Sequence, residues 1–252
     1  MDELKIEPIG YIKSSYRKKY EAPKQAHIEA EKEAIITLNQ NMNFEMALQD
    51  LDGFSHIWII YSFHKNNHWK PKVLPPRNTR KKKGLFATRS PYRPNPIGMS
   101  VVKLSKIKGR KLYIKNHDLL DGTPILDIKP YIKYADSHPE ATMGWIDEIE
   151  ETFREVFFSN DVLEKLKFLD ENQIEFKNEI ERRLSYDPFP HPYRRITKFE
   201  NHYQLRFKEW CCDYLIKDNS IEITNVYSGF SDEKRKALKA NNLHDVFIEK
   251  FK

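Results

Sequence analysis

IGMSVVKLSKI (97–107), KGR (108–110) and KLYIKNH (111–117) decide the fold class. The two outer runs are rich in β-branched and aromatic residues, and the connection Lys108-Gly109-Arg110 is tight, which is the sequence form of a β-hairpin. Upstream, residues 84–88 (GLFAT), 55–63 (SHIWIIYSF), 33–38 (EAIITL) and 6–16 (IEPIGYIKSSY) read as further short strands. One amphipathic segment, 43–50, reads as a short helix. Many strands and few helices before residue 135 argue for an all-β barrel or sandwich and against a βαβ sheet.

Downstream the character changes. A polar, Pro-containing stretch (135–147) is followed by the strand-like FREVFF (153–158) and by a predicted helix over 161–184. There Leu163, Leu166, Leu169, Phe176, Ile180 and Leu184 recur at helical spacing, with Asp161 and Glu164 as its cap. The Pro-rich DPFPHPYRR (187–195) ends that helix. Two strands, 201–216 and 221–227, joined at Lys217 to Ser220, and a short amphipathic helix complete the chain. The expected fold is therefore mainly β: a barrel or sandwich over 1–138, a smaller α+β domain over 139–230 and a helical tail over 231–252.

A chain of 252 residues can bury a proper core in this arrangement. Its 39% hydrophobic and 32% charged residues fit a globular protein with a charged surface and exclude a disordered tail. No apolar run reaches membrane-spanning length, and MDELKIEPIG lacks the basic and apolar regions of a signal peptide, so a cytoplasmic protein with no membrane partner is expected. Cys211 and Cys212 are strand neighbours that point to opposite faces and match no zinc spacing; they are given no role, and no metal is expected. The net charge of +6 permits a polyanionic partner without establishing one.

The position of the charge is more informative. From Lys65 to Arg93 the chain carries ten cations, among them Lys70, Lys72, Arg77, Arg80, Lys81, Lys82, Lys83 and Arg89, and not one acid. Trp69, Phe86 and Tyr92 are interleaved, the pairing that holds an RNA backbone and stacks on unpaired bases. A solvated, solubilising loop has the same composition. TRSPYRPNPIG (88–98) favours binding, because Pro91, Pro94 and Pro96 fix the backbone that carries Arg89, Arg93 and Asn95. DLLDGTPILDIKPY (118–131) by itself reads as a turn between apolar runs, with Asp-Gly as the turn signal.

Taken together, LDGFSHIWIIYSFH (51–64), LPPR (74–77), GLFATRSPYRPNPIGMS (84–100) and DLLDGTPILDIKPY (118–131) resemble, in order and spacing, the tRNA-methyltransferase O family. The likeness is strong over the first 135 residues and weaker over 145–230; the segment after Gly229 looks like an extension. The resemblance implies a β-barrel methyltransferase that binds S-adenosylmethionine near a homodimer interface and N-methylates threonylcarbamoyl-adenosine beside the anticodon of threonine tRNA. The absence of G-x-G-x-x-G agrees with a donor site unlike the Rossmann type.

Carried over motif by motif, the implied cofactor contacts are Pro23, Lys24 and Gln25, His64 and Lys65, Arg89, and Asp121, Gly122, Thr123 and Pro124. Each has a structural alternative: His64 as a half-buried histidine closing its strand, Lys24 and Gln25 as surface loop, Arg89 as an ion-pair partner. His56 and Trp58 are expected in the core. The implied tRNA contacts are Arg77, Lys81, Lys82, Lys83, Arg93 and Asn95, with Pro188 and Phe189 on the acceptor side.

Methyl transfer from a sulfonium is an in-line displacement that needs alignment and no covalent intermediate. The acceptor nitrogen must lose a proton, so a carboxylate or carbonyl beside it helps. Asp187-Pro188-Phe189 and Tyr193 are the candidates, by the family's pattern and by analogy with amino-group methyltransferases of other folds; a helix-terminating turn explains the same residues. The competing functions are a non-enzymatic RNA-binding barrel and a methyltransferase with another substrate.

Overall fold

The computed structural model describes residues 5–23, 32–40, 42–76, 81–149, 153–191, 194–238 and 242–252. Lys24, Gln25, Arg77, Arg80 and Tyr193 lie outside the described residues. The chain divides into two compact units, Met1–Met143 and Gly144–Lys252.

Alternation builds the first unit. In β1 (Gly10–Lys13) and β2 (Ala34–Leu38), Ile12, Ala34, Ile36 and Leu38 are buried while Tyr11, Lys13 and Thr37 face outward. A short α1 (Phe44–Ala47) and a 3-10 turn at Leu51–Gly53 lead into β3 (His56–Ser62). A two-stranded ribbon, β4 (Lys72–Val73) with β5 (Lys83–Gly84), precedes the long β6 (Ile97–Lys108), then β7 (Lys111–Lys115), β8 (Pro124–Pro130) and α2 (Lys133–Asp136). Six strands close into an antiparallel barrel in the order β1-β2-β7-β6-β3-β8, sealed where Gly10 and Tyr11 pair with Ile125 and Pro124. Ile36, Ile57, Ile59, Val102, Leu112, Ile114 and Ile125 fill it with no exposure. Truncating one of the buried isoleucines to Ala would cost about 2–5 kcal/mol.

The second unit is a five-stranded sheet with helices on one face. β9 (Glu155–Phe158) is followed by α3 (Asn160–Glu171) and α4 (Phe176–Leu184). Then come β10 (Ile196–Lys198), β11 (Tyr203–Phe207), β12 (Trp210–Lys217), β13 (Ser220–Ser228), α5 (Asp232–Lys236) and α6 (Leu243–Lys250). The strand order is β10-β11-β12-β13-β9, with only β9 and β13 parallel. Val162, Leu166 and Leu169 of α3, Phe176, Ile180 and Leu184 of α4, and Phe247 of α6 pack on Leu205, Trp210, Tyr214 and Ile223. The C-terminal helix is thus part of this core. Cys211 and Cys212 are free, buried thiols of β12, and burial pushes both thiol pKa values up, away from reactivity.

The mainly β class and the 97–117 hairpin agree with the sequence reading, and several element boundaries do not. Residues 85–87 form a 3-10 turn, because the Thr88 backbone and hydroxyl both close on the Leu85 carbonyl. The span 161–184 is two helices: Gln173 takes a positive φ of 63°, and Ile174 N–H turns back to the Leu169 carbonyl. Ser159, not Asp161, caps α3, its hydroxyl accepting from Val162 N–H. The span 201–216 is a hairpin, with Lys208 at φ 50° between β11 and β12. Residues 124–130 form a strand that closes the barrel. His56 and Trp58 sit on the outer face of β3, partly exposed and against the Tyr131 ring, because the inward phase is taken by Ile57, Ile59 and Tyr61.

Candidate functional site

The Asp118–Pro124 turn is stitched to the chain that leaves β1. Asp121 N–H donates to the Tyr16 carbonyl (2.7 Å), Gly122 N–H to that of Ile12 (2.9 Å), and the Asp121 carboxylate accepts from Ser14 N–H (2.9 Å). Gly122 has φ 74°, a conformation that a side chain would strain. The buried Thr123 closes the turn, its hydroxyl and N–H both donating to the Leu120 carbonyl. Pro124 then opens β8.

The same Ser14–Pro23 segment reaches the end of β3. Lys65 Nζ donates to the Arg17 carbonyl (2.9 Å), and Lys19 Nζ returns to the Lys65 carbonyl (2.9 Å) and the Asn66 side chain (2.6 Å). Glu21 accepts from Arg17 and Lys18 N–H and shapes the turn before the buried Pro23. His64 is exposed; partial desolvation, followed by the charge of Lys65, holds its imidazole below the usual pKa.

A buried polar chain runs behind the turn. Ser100 Oγ donates to Asp118 Oδ1 (2.7 Å), and Tyr61 OH lies 3.4 Å from Ser100 Oγ. Burial first, and the Asp118 charge second, push the Tyr61 phenol far above its ordinary pKa, while the Arg89 charge acts against them. Gly98 permits this arrangement, since a Cβ there would stand 2.5 Å from the Tyr61 ring. The His64-Lys65 turn and the Asp121–Pro124 turn are thus linked by hydrogen bonds through residues 12–19. Tyr16, Tyr61, Ser100, Asp118 and His117 were not singled out from sequence.

His117 is buried to 2% exposure beside the Tyr16 ring, at 5.1 Å between centroids. Its Nδ1 accepts from Leu119 N–H (3.3 Å), which leaves the proton on Nε2. That nitrogen is buried and meets no partner among the described residues, and burial holds the imidazole down to about 4.

In the basic segment, Arg93 is turned inward on its own loop. Its guanidinium donates to the Thr88 carbonyl (3.0 Å) and lies over the Phe86 ring. Lys70 covers Tyr92, while Trp69 and Phe86 stand exposed, as do Lys81, Lys82 and Asn95. Lys83 belongs to β5.

In the second unit, Asp187, Pro188 and Phe189 form a clamped turn. Arg194 Nη1 pairs with the Asp187 carboxylate and donates to the Asp187 carbonyl (2.8 Å), and Asp187 Oδ1 accepts from Phe189 N–H (3.3 Å). The Tyr214 hydroxyl donates to the Pro188 carbonyl, and burial raises its pKa well above the ordinary range. Phe189 meets Tyr203 edge-on, and Tyr203 stacks on Tyr214.

Residues 11–137 match the family model described as the tRNA-methyltransferase O N-terminal domain. Over 230 residues the chain is 33% identical to a tRNA (adenine(37)-N6)-methyltransferase of Escherichia coli strain K12, spanning 88% of this chain and 97% of that protein. The mouse protein of the same name is 46% identical over 138 residues, but those are 53% of this chain and 32% of the mouse sequence, so the chain spans about a third of that relative. A crystal structure of TrmO from Pseudomonas aeruginosa superposes with a TM-score of 0.60 at 29% identity, covering 90% of this chain and 99% of that one.

Proposed function

Because this chain belongs to the tRNA-methyltransferase O family, we propose that it is an S-adenosylmethionine-dependent tRNA methyltransferase acting on the adenosine at position 37, the base beside the anticodon. The finer substrate we propose is threonylcarbamoyl-adenosine in a threonine tRNA. The observation that carries the reading is the joining of the Asp121–Pro124 turn and the His64-Lys65 turn by hydrogen bonds through residues 12–19, with the Tyr61–Ser100–Asp118 chain beside them.

The donor set fits the cofactor's chemistry. Arg89 and Lys65 are cations suited to a carboxylate. Asp121 spends one oxygen on Ser14 N–H and keeps acceptor capacity for an ammonium or hydroxyl group. The buried His117 Nε2–H is a further donor without an acceptor among the described residues. Pro23, Lys24 and Gln25 complete the proposed set, with Gly122, Thr123 and Pro124 supplying backbone groups. When bound, S-adenosylmethionine supplies an activated methyl group on a sulfonium. The protein's part is to hold donor and acceptor in line.

On the acceptor side we assign Asp187 and Tyr193, with Pro188 and Phe189 shaping the contact. The Asp187 carboxylate is held by Arg194 and Phe189 N–H, and a carboxylate with two partners can still accept from an amine. Lys81, Lys82, Lys83, Arg77 and Asn95 are assigned to the tRNA backbone; Arg93 acts by stiffening its loop. We further assign a cytoplasmic homodimer, on the resemblance alone. Among the described residues no helix is long and apolar enough to cross a membrane.

The test has two arms. Calorimetry with S-adenosylmethionine should show saturable binding; its absence would favour a pure RNA-binding barrel. Mass spectrometry of nucleosides from a deletion strain should show loss of the methyl group from threonylcarbamoyl-adenosine, and loss from another base would transfer the activity there.

A further inference from the structure

Four neighbouring barrel strands carry a basic outer wall that the donor site does not use. The register puts Tyr11, Thr37, Lys111 and Lys108 in one row across β1, β2, β7 and β6. The next row holds Lys13, Ile35, Tyr113 and Lys106. All of these point away from the core, since Ile12, Ile36 and Leu112 between them are buried. Neither row contains an acid, and the sequence from Ser100 to His117 contains none either.

The wall is costly by itself. Lys108 stands directly across from Lys111, and like charges opposed across a strand pair are destabilising. Glu45 is paired with Arg110, whose guanidinium also donates to the Leu38 carbonyl. Lys106 lies over the Tyr113 ring at 4.3 Å, which fixes an ammonium beside a phenol. A shallow recess of about 270 Å³ opens between Thr37, Lys108, Arg110, Lys111 and Tyr113.

We infer that this wall is a second RNA-contact surface, separate from the 65–93 segment, which holds the phosphate backbone of the substrate tRNA. The inference rests on the proposed function for its partner. Alternate strand residues are about 6.8 Å apart, a step comparable with that between successive phosphates along one strand, so Lys106 and Lys108 address neighbouring phosphates. Lys111 and Lys13 widen the contact onto β7 and β1. The Tyr11 and Tyr113 hydroxyls can donate to phosphate or ribose oxygens, as such side chains do in nucleic-acid complexes. A polyanion lying on the wall offsets the Lys108–Lys111 repulsion.

The experiment compares the full-length protein with a Lys106→Gln/Lys108→Gln/Lys111→Gln variant and with a Lys133→Gln/Lys234→Gln/Lys236→Gln control of equal net charge. Melting temperatures establish that all three are folded. Binding of purified tRNA is titrated over a range of salt. The wall variant should bind at least tenfold more weakly, and the magnitude of its log Kobs against log salt slope should fall by about 2, near 0.7–0.9 for each lost phosphate contact. S-adenosylmethionine affinity should match wild type, and the KM for tRNA should rise. The inference is overturned if the slope and KM are unchanged, if the control behaves like the wall variant, or if the variant loses binding only to anionic phosphatidylserine vesicles. In each of those cases wild-type methylation of tRNA leaves the proposed function standing, whereas a wild-type protein that methylates no tRNA removes both.

Discussion

The Asp187 carboxylate and the Arg194 guanidinium form an ion pair inside the second unit, each side chain less than a tenth exposed. Removing one partner strands the other charge in a dry site, which costs about 3–5 kcal/mol. Asp187→Ala and Arg194→Ala should therefore each lower the melting temperature, and the double variant should lose less than the sum. If Asp187 also faces the acceptor nitrogen, single-turnover methylation per folded molecule should fall about a hundredfold in Asp187→Ala. A normal rate in the folded fraction would reduce Asp187 to a brace for its turn.

His117 makes stability depend on pH. Its folded-state pKa is held down to about 4 by burial, whereas the unfolded chain protonates near the ordinary 6.5. Between those values the unfolded state binds more protons, so stability is fully present above 6.5 and is lost as pH falls toward 4, by at most about 1.4 kcal/mol per pH unit. Denaturation curves from pH 7 to 4.5 should steepen this loss in wild type and flatten it in His117→Asn. Equal slopes would show that His117 titrates normally.

Arg89 is exposed, so its replacement should separate binding from folding. Arg89→Ala removes a charge-assisted hydrogen bond worth about 1.5–3 kcal/mol, at least a tenfold loss of S-adenosylmethionine affinity. The melting temperature should stay near wild type. Undiminished affinity by calorimetry would remove Arg89 from the donor site.

The all-β character of the first unit was legible because the hairpin at 97–117 and the runs around Ile36 and Ile59 carry their own period and turn signals, whereas these signals fit a barrel and a sandwich alike. β8 was hidden: its prolines stand at its first and last residues, where they are tolerated in a strand but read as turn. The break between α3 and α4 was hidden as well. Leu169 and Phe176 are seven residues apart, so the apolar phase continues through it, and the positive φ falls on Gln173, a residue that does not announce it. His56 and Trp58 could have been placed by period 2, since they are out of phase with Ile57 and Ile59. The Tyr61–Ser100–Asp118 chain joins β3, β6 and the loop after β7 through hydrogen bonds, and no local pattern in the sequence encodes such a pairing. Arg194 is separated from Asp187 by a proline-rich loop, and only the folded turn brings the two charges together.

The proposed methyl transfer to the adenosine beside the anticodon is decided by reconstitution. Purified protein, methyl-labelled S-adenosylmethionine and tRNA from a strain lacking the gene are combined, and the digested nucleosides are separated by mass spectrometry. Label should appear as one added methyl group on threonylcarbamoyl-adenosine, with wild type active and Arg89→Ala strongly impaired. Label on another nucleoside, or none at all with saturating cofactor, would overturn that assignment.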